Sequence, residues 1–322
     1  MMTFILRRIL ALIPLLLGVT ALAFLLMSLA PGDFLTPIKA QRDVDPQYIA
    51  RLEQDFGLKR PWYIQYFYWL RNVLGGDFGY SWTYKVPVLE LLWQRAPATV
   101  LLNLCSLLFA WSLAIPLGVL SAMYKDSWLD RFTSFVAYLS LSIPEFFLGL
   151  LAVFLAARTG WFPIGGLTSL EHELFPPVLR ILDVLWHLVL PTLALGVGGI
   201  AGILRIMRAT VLDVIRAEYV MTARAKGLPE RVIFFRHILR NAISPVLSSI
   251  GYVFSGLLSG SLLVENVFNY PGLGQLIYSA FLRKDQFLVL GSIVISCLLL
   301  VLGNLLSDLL LAWNDPRIRY ER

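Results

Sequence analysis

The sequence predicts an all-α integral membrane protein with six transmembrane helices. Three observations carry this. Hydrophobic residues make up 58% of the 322-residue chain and the mean hydropathy is +0.72, whereas soluble domains are about 45–50% apolar. Six apolar runs are each long enough to cross a bilayer, which takes about 20 residues. Between the fourth and fifth runs hangs a polar, basic, helix-forming stretch, Glu218 to Pro245, the longest highly charged interval between two apolar runs.

Arg7 and Arg8 precede the first run, 24 uncharged residues from Ile9 to Gly32. It is too long for a signal-peptide core and lacks a small-residue cleavage site, so it reads as a retained N-terminal helix within 1–33. The Pro31-Gly32 turn signal closes it. Residues 34–95 carry charges of both signs and a cluster of Trp62, Tyr63, Tyr66, Phe67, Tyr68 and Trp69. They read as an extracytoplasmic insertion: a polar helix from Pro46 to Phe56, a stop at Gly57, an aromatic helix from Pro61 to Leu74, then turn-rich GGDFGYSW. The aromatics suit a membrane-interface belt, or a docking surface for a binding protein. Residues 96–313 hold five more spans. Ala96–Tyr124 is uncharged over 29 residues, and 125–131 is a short cytoplasmic turn. Phe132–Ala157 carries Pro144 and Glu145, and 158–183 returns outside, where WFPIGG and Pro176-Pro177 break any long helix. Val184–Leu204 follows, with Gly198 and Gly202 as a small-xxx-small pair for close helix approach. The loop 205–240 precedes a fifth span with a second such pair, Gly256 and Gly260. That span ends at Glu265, and a glycine-rich outer turn follows with Pro271, Gly272 and Gly274. Gln286–Trp313 is the sixth span, with Asp308 near its inner end, and 314–322 is a cytoplasmic tail.

Charge orients these spans. Of the 27 Lys and Arg, 15 fall in segments assigned to the cytoplasm, eight of them in 205–240. Of the other 12, eight lie in the long 34–95 insertion, a length that translocates regardless of charge. Both termini are therefore expected in the cytoplasm. The formal charge of +6 belongs to this bias and does not signal nucleic-acid binding. Cys105 and Cys297 sit in apolar runs as small hydrophobes, and the three histidines are scattered without ligand spacing. No lysine follows a glycine, so no phosphate-cradling GxxxxGK[ST] loop exists. No nucleophile–base pair, carboxylate dyad or metal spacing points to an enzyme.

Within the basic stretch, Glu218 through Lys226 are good helix formers. Gly227 ends that helix, and Pro229 suits the first position of another, whose apolar face is expected through Phe234, Phe235, Ile238 and Leu239. Such an elbow fits a groove on a cytoplasmic partner. The residues Glu218-Tyr219-Val220, Thr222-Ala223-Arg224-Ala225-Lys226-Gly227, then Arg236-His237 and Leu239-Arg240-Asn241-Ala242 resemble the cytoplasmic coupling loop of ABC importer permeases, most closely the dipeptide/oligopeptide/nickel family. The wider importer wording has Glu-Ala-Ala four residues ahead of the glycine. Here Met221, Thr222 and Ala223 stand there, a departure that suits the peptide subfamily. The resemblance extends along essentially the whole chain.

The resemblance implies the six-helix type I ABC importer permease fold, in a bacterial inner membrane. It implies a homologous second permease, two cytoplasmic ABC ATPases that hold ATP and Mg, and an extracytoplasmic substrate-binding protein as partners. This chain would bind no cofactor itself. Cargo would be di- or oligopeptides, with nickel chelates or glutathione as family variants. Arg224, Lys226, Arg231, Arg236 and Arg240 would fix docking register by charge-assisted contacts. A stand-alone secondary transporter is the alternative, but it usually shows inverted repeats and several intramembrane charges. No repeat is visible here, and only Glu145 and Asp308 qualify. Glu145 is midway along the third span, where an ionisable residue costs about 2.5–3.5 kcal/mol to insert. Beside Pro144, it either lines the translocation path or sits at the interface between two permeases.

Overall fold

A computed structural model describes residues 2–29, 39, 45–55 and 60–314. The turn at Pro31-Gly32, the stop at Gly57 and the tail from residue 315 onward lie outside them. The chain is helical almost throughout: α1 Met2–Leu29, α2 Pro46–Asp55, α3 Trp62–Leu74, α4 Val88–Met123, α5 Trp128–Ser142, α6 Glu145–Thr159, α7 Pro177–Ile215 and α8 Glu218–Ala225. After α8 come α9 Glu230–Val232, a π-helical run Ile233–Leu239, α10 Arg240–Ala242, α11 Ser244–Ser248, α12 Ile250–Val267, α13 Leu273–Leu282 and α14 Gln286–Asn314. A two-stranded antiparallel hairpin, β1 Tyr80–Ser81 and β2 Val86–Pro87, precedes α4.

Among the described residues α4, α7 and α14 are each long and apolar enough to cross a membrane. The third expected span is not one kinked helix. It is two, α5 and α6, meeting at 92° and counting as a fourth crossing when taken together. Pro144 stands at the break: its ring disfavours a continuing helix by crowding the turn before it and removing a donor, and it caps α6 with extended backbone, ψ 139°. α1 and α12 occupy the first and fifth expected spans. The prolines 176 and 177 start α7 rather than interrupt it, since the first helical turn needs no donor there.

Two compact units divide the chain, 1–97 with 272–299, and 98–271 with 300–322. In the first, the aromatic cluster splits. Trp69 is buried, and Tyr66 meets Phe24 of α1 edge-on at 5.7 Å between ring centres. The Tyr66 hydroxyl donates to the Leu17 carbonyl at 3.1 Å. Tyr63, Phe67 and Tyr68 stay exposed. So half of the expected interfacial belt is a helix–helix contact. Asp285 is buried there too, accepting from Ser81 Oγ at 2.7 Å and from the Thr83 amide at 3.1 Å.

The second unit is built around α7. Its buried positions, among them Leu188, Ala194, Leu195, Ile200, Ile203, Leu204, Met207 and Val211, recur at helical spacing. Close approach between α4 and α7 occurs at Gly196 and Gly118, not at the expected pair. A Cβ on Gly196 would lie 2.7 Å from the Phe109 ring, and one on Gly118 2.8 Å from Met207 Cβ. Gly198 instead faces Glu145, and Gly202 has nothing within 4 Å. The side chains around Gly256 and Gly260 lie outside the described residues. Cys105 and Cys297 are both free and partly buried.

Candidate functional site

α8 begins right after α7, with only Arg216 and Ala217 between them. Val220 and Ala223 turn inward, into the core formed by Leu204, Met207, Val211, Ile233 and Ile238. Glu218, Tyr219, Thr222, Arg224, Ala225 and Lys226 face out. The helix closes with paired backbone bonds: Gly227 N–H to the Arg224 carbonyl at 2.9 Å, and Leu228 N–H to the Ala223 carbonyl at 3.3 Å. This is the Schellman arrangement, and it requires left-handed backbone at Gly227, where φ is 73°. A Cβ there would meet nothing within 4 Å, so conformation rather than space selects glycine.

Past the glycine, Pro229 is not the first helical residue. It caps the next helix with ψ 136°, and its carbonyl accepts from the Val232 and Ile233 amides at 2.9 and 3.1 Å. The helix then widens into the π form from Ile233 to Leu239. That changes which residues face inward. Ile233 and Ile238, five apart, are buried, matching an i to i+5 ladder. Phe234 and Leu239 are half-buried, and Phe235, expected on the apolar face, is 58% exposed.

Arg224 spans the elbow. Its Nε donates to Glu230 Oε1 at 2.8 Å and its Nη2 to Oε2 at 3.3 Å. This bond holds the Glu230 carboxyl below the usual carboxylate range. Arg224 therefore braces the turn, with its side chain still exposed. Lys226, Arg231 and Arg236 are exposed around the elbow beside Tyr219, Met221, Leu228 and Phe235. The loop's second half leads back to the spans. His237 is half-buried, and its carbonyl accepts from Asn241 Nδ2 at 2.7 Å. The Arg240 carbonyl accepts from Asn314 Nδ2 at 3.1 Å, and the Ala242 carbonyl from Thr210 Oγ1 at 3.0 Å. The loop is thus tied to α7 and to the end of α14.

The other expected site residues lie elsewhere. Pro144 is exposed at the α5–α6 break, and Glu145 is partly buried as the first residue of α6. Glu265 is fully buried in α12 and accepts from Thr99 Oγ1 at 2.8 Å. Pro271 is half-buried, and Gly272 and Gly274 are buried at the start of α13. The expected glycine-rich turn is therefore largely interior.

Two clusters escaped the sequence reading. Asp130, in the segment read as a short turn, is buried and accepts from Arg208 Nε and Nη2, both at 2.7 Å, and from Ser121 Oγ. Its partner is 78 residues away, a separation no local pattern reveals. Near the start of α7, Asp183 binds Ser169 Oγ at 2.8 Å and His172 Nδ1 at 2.7 Å, and its carbonyl meets His187 Nδ1 at 2.8 Å. Two of the three histidines that looked scattered thus share one aspartate. The spacing of His187 four residues after Asp183 was the available signal.

Residues 114–320 match the family described as binding-protein-dependent transport system inner membrane component, and residues 1–103 match its N-terminal counterpart. The oligopeptide transport system permease protein AppB of Bacillus subtilis is 41% identical over 326 residues, covering 99% of this chain and 100% of that one. The glutathione transport system permease protein GsiC of Pectobacterium atrosepticum is 36% identical, with both chains covered in full. A chain of the MetNI methionine ABC transporter, solved in inward facing conformations, superposes with a TM-score of 0.56 at 18% identity, covering 70% of this chain and 97% of that one. The fold is thus the type I ABC importer permease fold. With matches that span nearly its whole length, the chain belongs to the family of inner membrane components of binding-protein-dependent transport systems.

Proposed function

We propose that this chain forms one half of the translocation path of a di- or oligopeptide importer and receives the motion of a cytoplasmic ATPase through residues 218–245. The observation that carries the coupling role is the elbow itself. A short helix, a left-handed glycine and a braced second helix present an exposed apolar and basic face, while their inner face is packed into the core around α7. A push on such an element moves α7 rather than bending a loose loop. The relatives named for peptide transport support the cargo.

On this reading the spans alternate between outward and inward access, biased by whichever ATPase state the elbow binds better. ATP and Mg belong to two partner ATPases, a homologous permease supplies the other half of the path, and an extracytoplasmic binding protein delivers cargo. Both termini and 205–240 face the cytoplasm, with 34–95 outside the inner membrane. Glutathione is itself a small peptide, so the GsiC likeness favours the same chemistry.

The test is import by the assembled complex in proteoliposomes. Labelled di- and tripeptides should accumulate only with ATP and binding protein present. Accumulation without any ATPase subunit would replace this reading with a secondary transporter.

A further inference from the structure

We propose that Glu145 is the point on this chain's side of the path that holds the positively charged amino terminus of the passing peptide. This rests on the peptide-import reading above and deepens it.

Glu145 stands where the third span breaks, directly after Pro144 and at the 92° corner between α5 and α6. It is only partly buried. Among the described residues, no side chain or backbone group forms a hydrogen bond or ion pair with its carboxylate. The nearest basic residues along the chain are Arg131 and Arg158, more than a dozen positions away on either side. A carboxyl in the membrane domain without a protein cation is neutralised by a proton or is met by water or a cationic ligand, and the last is what a passing peptide supplies.

The packing around it is shaped for that side chain. Gly198, near the middle of α7, lies flat beneath it. A Cβ at Gly198 would overlap Glu145 Oε1 and stand 2.9 Å from its Cγ and 3.0 Å from its Cδ. The glycine leaves room for the carboxylate against the helix, and the side chain stays partly exposed. A free α-ammonium is the cationic group that all unmodified α-linked di- and oligopeptides share, whatever their side chains, and it is the end of the peptide that a carboxylate can attract. A carboxylate that recognises it gives affinity without sequence selectivity.

The experiment uses the complete importer in proteoliposomes, with its second permease, ATPases and binding protein, and labelled dialanine and trialanine as probes. Wild-type uptake comes first; if neither probe accumulates, the peptide reading falls and this inference with it. Given wild-type uptake, Glu145→Gln keeps size and hydrogen bonding but removes charge. It should slow uptake about tenfold, the scale of one charge-assisted contact. Co-purification of all subunits should not change. Glu145→Asp should retain more uptake than Glu145→Gln. Gly198→Ala, which displaces the carboxylate without removing it, should slow uptake with assembly intact. Wild-type uptake by Glu145→Gln would overturn the proposal. So would equal losses in the Gln and Asp variants, which would point to packing. Loss of the second permease from Glu145→Gln would assign the carboxylate to the subunit interface instead.

Discussion

Arg208 grips Asp130 with two bonds of 2.7 Å, joining the lower part of α7 to the start of α5. The Asp126 amide also donates to this carboxylate, at 2.9 Å, and Ser127 Oγ caps α5 through the Asp130 amide. Asp130 is 4% exposed, so removing its partner leaves a buried charge. Arg208→Ala should destabilise the purified complex by about 3 kcal/mol, read as a fall in Tm in detergent. Arg208→Lys should not recover it, because an ammonium cannot make the two-pronged contact. Asp130→Ala with Arg208→Ala should lose much less than the sum of the single changes. Additive losses would mean that the two residues act separately.

Gly227→Val places a β-branched residue at a φ of 73°, which L-residues adopt at about 1–2 kcal/mol. Nothing crowds the site, so the protein should still insert and assemble. Substrate-stimulated ATP hydrolysis and transport should fall together. Asn, which tolerates this conformation, should restore part of both. Wild-type transport by the purified Gly227→Val complex would remove the elbow from the coupling pathway.

The Arg224–Glu230 bridge makes a different forecast, because both residues are exposed. Thermal stability should hardly change on its loss. Glu230→Arg should loosen the elbow and lower the amount of peptide moved per ATP. The exchanged pair, Arg224→Glu with Glu230→Arg, should regain it. If the exchanged pair transports no better than the single variant, Arg224 acts through a partner rather than through Glu230.

Topology has a direct test. With Cys105 and Cys297 replaced by alanine, single cysteines at Gln47 and Lys226 report the two sides. Both positions are exposed. An impermeant thiol reagent on intact cells should label Gln47→Cys and spare Lys226→Cys. The opposite pattern would place the elbow on the wrong side of the membrane for an ATPase.

Most of the spans and the elbow were legible in the sequence, because both rest on local physics. Uncharged runs of 21 to 29 residues have few places to go but a bilayer. Glycine marked the left-handed turn, since among residues it alone takes that conformation freely. The inner face of the second loop helix was legible only in part. Ile238 lies inside, as a period of 3.6 expects, but the π-helical run also buries Ile233 and leaves Phe235 exposed. Likewise Pro144 signalled a kink, but a bend of 92° depends on what the two halves pack against.

The sequence by itself determined that this chain is a multi-span membrane protein with a basic, glycine-hinged loop between its fourth and fifth spans. Length, charge and turn chemistry act within a few residues, so one dimension suffices for them. Only the tertiary structure decided who meets whom. It paired Arg208 with Asp130, gathered His172 and His187 on Asp183, engaged Arg224 with Glu230, and set Glu145 on Gly198. Two of these contacts, Arg208 with Asp130 and Glu145 with Gly198, join residues dozens of positions apart, and the others cross a loop, the elbow or one helical turn. They form because helices pack through side-chain shape and because buried charges must find partners, and neither condition is written in local sequence spacing.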